Sequence, residues 1–164
     1  MVGGGDTAAE EALVLARTSR SVTLVHRRGK LRANHALASR VLRHPKIAVV
    51  YDTVVERFEG DGAGALQRAW LRTAGEETAR GLEVAAAFVA IGHAPNTAML
   101  EGSGVALTPQ GYVDMSGSGR SSRTSVDGVF AAGDVADPTY RQAVTSAGSG
   151  AQAALDVERW LGEQ

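Results

Sequence analysis

The 164-residue chain contains no cysteine. That excludes a structural disulfide, a thiolate zinc site and any thiol redox centre carried by these residues. Charge imbalance is also lacking. The formal net charge is −1, so nothing draws the chain as a whole to nucleic acid or to an anionic membrane. No apolar run approaches the ~18 residues that span a bilayer. Residues 1–15 lack the basic start and apolar stretch of a secretory signal. His26, His35, His44 and His93 show no metal-ligand spacing with acidic residues, so no metal site is expected. There is no Gly-x-Ser-x-Gly nucleophile elbow and no internal repeat.

What is present has the balance of a soluble globular chain, with 44% hydrophobic and 21% charged residues. The length suits one domain or two small ones. Glycine is abundant, at 20 residues, and much of it falls in turn-like clusters.

Along the chain, Asp6 to Ser19 reads as a helix with Ala8, Ala12, Leu13 and Ala16 on one face. Asp6 or Thr7 can cap its start, and Arg17 and Arg20 favour its end. Ser21–Val25 is a β-rich run. Lys30–Arg43 reads as a helix closed by Pro45, and Ile47–Tyr51 as a strand. Helices alternating with strands argue for a parallel sheet with crossover helices. The texture then changes. "TVVERFEG", "ALQRAWLRTAG" and "TARGLEVA" alternate apolar and polar residues around glycine-rich turns, as in a small antiparallel meander. Ala85–Gly92 is nearly all apolar and predicts a buried strand. Pro95 and Asn96 mark a boundary. Beyond it "GYVDM" and "GVFAAGDV" predict short strands, Ser116–Arg123 a loop, and Thr139–Leu161 a helix that starts there or nearer Gln142. Trp70 and Trp160 read as packing residues.

Two motifs carry chemistry. Gly3-x-Gly5-x-x-Ala8 fits a dinucleotide fingerprint. Gly3 would allow the tight turn, Gly5 the approach of a pyrophosphate, and Ala8 the packing of helix on strand. The helix start would offer free N–H groups to the phosphates. An NAD site places an acidic residue about 20 positions on, at the end of the next strand. Here that place holds His26, Arg27 and Arg28, with Arg32 one turn further. Guanidinium groups suit a 2′-phosphate, which a carboxylate would repel. The pocket therefore reads as NADPH-specific. The plainer readings of the basic cluster are a solvated helix start or a small nucleic-acid patch. The second motif is Gly133-Asp134 at the end of an apolar run just before a helix. It could aim a carboxylate at a sugar or ribityl hydroxyl, or be a plain strand–turn–helix with Asp134 as a turn residue.

Taken together, "VGGGDTAAEEA", "VTLVHRR", "FVAIGHAPNT" and "TSVDGVFAAGDVADPTYRQAVTSAGSGAQAALDVERWL" resemble the low-molecular-weight thioredoxin reductases. These belong to the pyridine nucleotide-disulfide oxidoreductases. The resemblance covers nearly the whole chain. It implies an α/β fold: a Rossmann-like NADPH-binding domain with a small antiparallel meander over residues 1–95, then the C-terminal part of an FAD-binding Rossmann-like domain over residues 96–164. It implies NADPH and FAD as cofactors, thioredoxin as partner, a homodimer and a cytoplasmic enzyme, with no nucleic acid or membrane involved. Gly3, Gly5, Asp6, Thr7 and Ala8 would cradle the NADPH pyrophosphate. His26, Arg27, Arg28 and Arg32 would hold the 2′-phosphate. Ile91, Gly92 and His93 would lie near the nucleotide and the domain boundary. Gly133 and Asp134 would serve the FAD ribityl chain, and Arg141, Gln142 and Ala143 would approach the flavin ring. The family's Cys-x-x-Cys is not among these residues, and neither is the adenine-side FAD fingerprint. Only Met1 and Val2 stand where the first strand of the NADPH domain belongs. The expectation is a fragment with that strand truncated, a gap in its sheet and no activity in isolation. The alternatives are a related flavoprotein without the dithiol, of the ferredoxin–NADP reductase type, and a stand-alone NADP-binding module.

Overall fold

A four-stranded parallel sheet and a three-stranded antiparallel meander share the first ninety residues. The computed structural model describes residues 1–117, 119 and 121–164. These form two compact units, Met1–Gly92 and His93–Gln164.

In the first unit β1 (Val2–Gly3) leads through the glycine turn into α1 (Asp6–Thr18), β2 (Val22–Val25), α2 (His35–Arg43) and β3 (Ile47–Val50). The meander strands are β4 (Thr53–Gly60), β5 (Leu66–Thr73) and β6 (Arg80–Glu83), and β7 (Val89–Ala90) closes the unit. The order β3-β2-β1-β7 is parallel throughout. Sequence neighbours thus run outward from β1 on one side, and the last strand returns to its other side. Val2 aligns with both Val25 and Val89, and Gly3 with Ala90. Short as it is, β1 joins β2 to β7 at this level, where a gap was expected.

The core follows from the alanine stripe of α1. Ala8, Ala9, Ala12 and Ala16 are buried against Val22 and Leu24, with Leu37 and Val41 of α2 beside them. Small side chains let the helix axis come close to the sheet. The meander pairs antiparallel, β4 with β5 and β5 with β6, and has its own cluster at Ala69 and Leu71. Trp70 lies on the outer face of this sheet. The Arg57 guanidinium stacks 4.2 Å from its ring centroid, and its Nε1 donates to Glu59 at 2.7 Å.

Two sequence expectations fail here. The helix expected from Lys30 begins only at His35, with Asn34 as its cap. The amides of Arg32 and Ala33 both donate to the Gly4 carbonyl, at 2.6 and 3.0 Å, so these residues leave the helical path. The apolar run Ala85–Gly92 pairs only at Val89–Ala90, because β1 offers only Val2 and Gly3. It is not buried either: Phe88, Val89 and Ile91 are 46%, 57% and 70% exposed.

The second unit contains one long helix, α3 (Ala143–Gly162), and two 3₁₀ turns, Ala98–Leu100 and Gly133–Val135. The expected strands around Tyr112 and Phe130 reduce to isolated bridges, Leu107 with Val113 and Arg123 with Phe130. Loops here are fastened by polar side chains. Asp156 of α3 accepts from the Ser122 amide at 2.7 Å and the Ser122 hydroxyl at 2.8 Å. Trp160 Nε1 donates to Asp127 at 3.0 Å, and the ring meets Phe130 edge to face. Within the expected loop Ser116–Arg123, Ser118 and Arg120 lie outside the described residues.

Candidate functional site

The first site lies at the carboxyl ends of β1, β2 and β7. In a parallel sheet of this order the crevice beside the central strand, where the winding direction reverses, is the place for a ligand. A cleft of about 310 Å³ opens there, lined by Gly3, Gly4, His26, Arg27, Arg32 and Ile91 among others.

Each glycine of the turn has a separate reason. Gly3 has φ +148°, and a Cβ there would collide with the Ala90 carbonyl and the Ala8 side chain. A Cβ on Gly4 would collide with the His26 ring. Gly5 is different, because nothing of the protein lies within 4 Å of where its Cβ would stand. Protein packing does not require a glycine there. The open space faces the start of α1, where unpaired amides and the helix dipole favour an anion. Ala8 is fully buried, as the fingerprint expects of the residue packing helix on strand.

The basic residues divide by exposure. Arg27, Arg28 and Arg32 are exposed. Among the described residues they make no side-chain hydrogen bond or ion pair; Arg27 and Arg32 line the cleft beside Gly3 and Gly4, whereas Arg28 is not part of the lining. His26 is buried, and its Nε2 has no partner. Burial lowers its pKa and the charges of Arg32, Arg28 and Arg27 push the same way, while a hydrogen bond with the Lys30 backbone opposes them. The ring is therefore a neutral wedge under Gly4 rather than a cation turned outward with the arginines. Asp6 does not turn into the cleft either. Its Oδ1 accepts from the Asn34 amide at 2.6 Å and from Asn34 Nδ2 at 3.2 Å. Thr7 is exposed in the first turn of α1. Gly92, with φ +108°, ends this unit, and His93 is exposed at the start of the next.

The second unit holds a separate constellation. Gly133 has φ +76°, and its amide donates to Ser149 Oγ at 3.0 Å. Ser146 Oγ donates to Asp134 at 2.9 Å. The following loop is organised by Asp137, which the sequence reading missed. Its carboxylate accepts from the amides of Thr139, Tyr140 and Arg141 at 2.8–2.9 Å, and from Thr145 Oγ1 at 3.3 Å. Those amide bonds hold its pKa below the ordinary aspartate value. They keep Arg141 at φ +51°, a left-handed conformation uncommon outside glycine. Strain of this kind persists only where the surroundings enforce it, and it clusters at ligand sites. Gln142 caps α3 and Ala143 is its first residue, both exposed. The Asp-Pro pair was the available signal for Asp137, as the Asn-His-Ala-Leu start was for the Asn34 cap.

The pyridine nucleotide-disulphide oxidoreductase family matches residues 1–150. This chain belongs to that family. Within it, the chain is 48% identical to a thioredoxin reductase of Mycolicibacterium smegmatis, over all of this chain and 51% of that protein. It is 50% identical to NADPH-dependent thioredoxin reductase 3 of Arabidopsis thaliana, over 98% of this chain and 30% of that one. Among solved structures, the thioredoxin reductase of Streptococcus pyogenes MGAS5005 superposes with a TM-score of 0.78 at 31% identity, over 99% of this chain and 52% of that one. That of Giardia duodenalis gives 0.73 at 41% identity, over 98% and 52%. The chain thus spans about half the length, or less, of these relatives. Among its described residues no helix is long and apolar enough to cross a membrane, and no cluster of metal-ligating side chains occurs.

Proposed function

We propose that residues 1–95 form an NADPH-binding lobe and residues 96–164 the closing part of an FAD-binding lobe of a thioredoxin-disulfide reductase. The observation that carries this reading is the cleft at the sheet's switch point. There Arg27 and Arg32, both without a side-chain partner among the described residues, line the space beside an open glycine turn, with Arg28 next to Arg27 in the chain. The turn fits a pyrophosphate: Gly5 leaves room for it and the start of α1 supplies the amides. Arg27, Arg28 and Arg32 suit a 2′-phosphate, and Ile91 offers an apolar wall. In the second unit Asp134 would meet a ribityl hydroxyl, with Gly133 giving close approach. Arg141, Gln142 and Ala143 would stand along the flavin.

NADPH supplies a hydride and FAD passes the electrons on. This chain's residues bind and orient both cofactors. With no cysteine, the redox disulfide would be carried outside these 164 residues. Thioredoxin as the acceptor, a homodimeric parent and a cytoplasmic setting belong to the same proposal. The names of the similar proteins support thioredoxin as the acceptor.

Calorimetric titration of the chain with NADPH and NADH tests the cofactor assignment. NADPH should bind more tightly. Arg27→Ala with Arg28→Ala should remove the preference, since a charged phosphate contact is worth ~1.5–3 kcal/mol. Equal loss for both nucleotides would show that these arginines do not read the 2′-phosphate.

A further inference from the structure

We infer that Asp6 is a positioning residue for cofactor selectivity: its carboxylate fastens the arginine loop to the glycine turn, and so sets the discrimination between NADPH and NADH. This rests on the NADPH reading above; the Asp6 carboxylate, which the family resemblance puts in the pyrophosphate cradle, is instead turned to Asn34 and is absent from the cleft lining.

Three consecutive amides of the loop converge on the turn. Arg32 and Ala33 donate to the Gly4 carbonyl, and Asn34 donates to Asp6. The Asn34 side chain adds a second bond to the same oxygen. Its own Oδ1 accepts from the Leu37 amide at 3.0 Å, which starts α2. The loop's other end is anchored to the sheet and the strand behind it. His26 donates to the Val50 carbonyl, Thr53 donates to His26, and Asp52 donates to Arg28. Between these anchors Gly29 and Lys30 are exposed.

Asp6 is an unusual neighbour for phosphate. A carboxylate in the first turn suits the helix dipole but repels a bound anion at close range. It also forms no ion pair with Arg27, Arg28 or Arg32. Its side-chain bonds go to the neutral Asn34. Holding the loop accounts for a carboxylate at this place, because a charged acceptor makes the stronger bond to an amide. The held loop needs no ordering when the 2′-phosphate arrives. A loosened loop would lose that freedom on binding, and the loss would fall on affinity. The pyrophosphate, common to both nucleotides, meets the glycine turn instead. Loosening the loop therefore penalises NADPH and leaves NADH nearly untouched.

The test is titration of the chain and two variants with NADPH and with NADH. Asp6→Ala should weaken NADPH by about tenfold, the scale of one charged hydrogen bond, and NADH by less than about twofold. Asp6→Asn, which keeps an acceptor oxygen, should restore most of the preference. A purely structural role would lower both affinities together and leave their ratio intact, and an unchanged ratio in Asp6→Ala overturns the inference. If Asp6→Ala does not fold, Asp6→Ser takes its place, since its shorter hydroxyl suits the helix start but falls short of Asn34. Amide exchange in the unaltered chain is the second readout. The Asn34 amide should be protected like those of Arg32 and Ala33, and exchange at the free rate overturns the clasp. Absence of any NADPH preference in the unaltered chain overturns the assignment of the site itself, which the exchange experiment distinguishes from failure of the clasp.

Discussion

The two units are built on different physics. Residues 1–92 bury an apolar cluster between a helix pair and a parallel sheet, with Ala8, Ala12, Leu24 and Val41 fully inaccessible. Residues 93–164 bury only Val105, Tyr112 and Val113 among their described hydrophobic residues, and α3 buries none of its twenty. Order there comes from carboxylates. Asp137 gathers three amides, Asp156 fixes Ser122, and Asp114 holds the Ser116 amide. Apolar burial holds no titratable group of its own and costs several kcal/mol to disturb. Exposed carboxylate anchors are individually weak and vanish on protonation. A unit of the first kind can carry strain at Gly3. A unit of the second kind depends on its solution conditions.

The sharpest way to break this contrast is Gly3→Ala. The clash with the Ala90 carbonyl and the strain of φ +148° together should cost about 4 kcal/mol. Urea unfolding followed by residue-resolved exchange should show the loss in residues 1–92. Next comes Leu24→Ala, which leaves a cavity in the same core and should cost about 3 kcal/mol. Comparable destabilisation of the second unit by either change would show that the two are not energetically separate.

Acid should separate the units by window. His26 is buried with a lowered pKa, so the unfolded chain takes up its proton first, below about pH 6.5. Falling pH through that range therefore weakens the first unit. Asp137, Asp156 and Asp114 have lowered pKa values. Their contribution is complete above about pH 3.9 and is lost as pH falls through their folded values. Asp61 and Glu56 give the meander a share of that lower window. Exchange measured against pH should show the Arg141 amide released only in strong acid. Release near neutrality would remove Asp137 as its anchor. The smallest effect is expected for Val144→Ala. Its side chain is 78% exposed on α3 and should change stability by less than about 0.5 kcal/mol.

Much of the first unit was legible because local chemistry and tertiary contacts agree there. The Gly3-x-Gly5-x-x-Ala8 spacing, the alanine stripe and the meander all reappear in the structure. Misreadings arose where a distant group overrode a local pattern. Residues 30–34 have helical periodicity, but the Gly4 carbonyl captures two of their amides. Residues 85–92 look like a buried strand, but a strand is only as long as its partner. In the second unit "GYVDM" and "GVFAAGDV" have strand-like composition, yet Val113 and Phe130 find only single bridges. Composition cannot report the presence of a neighbour. His26 shows the same limit within the site, since adjacency to two arginines did not reveal that its ring lies under the turn.

The amides of Arg32 and Ala33, not their side chains, hold the loop to the Gly4 carbonyl. Any residue except proline could supply those bonds. The guanidinium groups of Arg27, Arg28 and Arg32 have no other occupation among the described residues. On the proposed assignment, nucleotide preference would be written on side chains that the framework does not need. A lineage could replace them one at a time, passing through forms that accept both nucleotides, while the fold itself stays under no pressure to change.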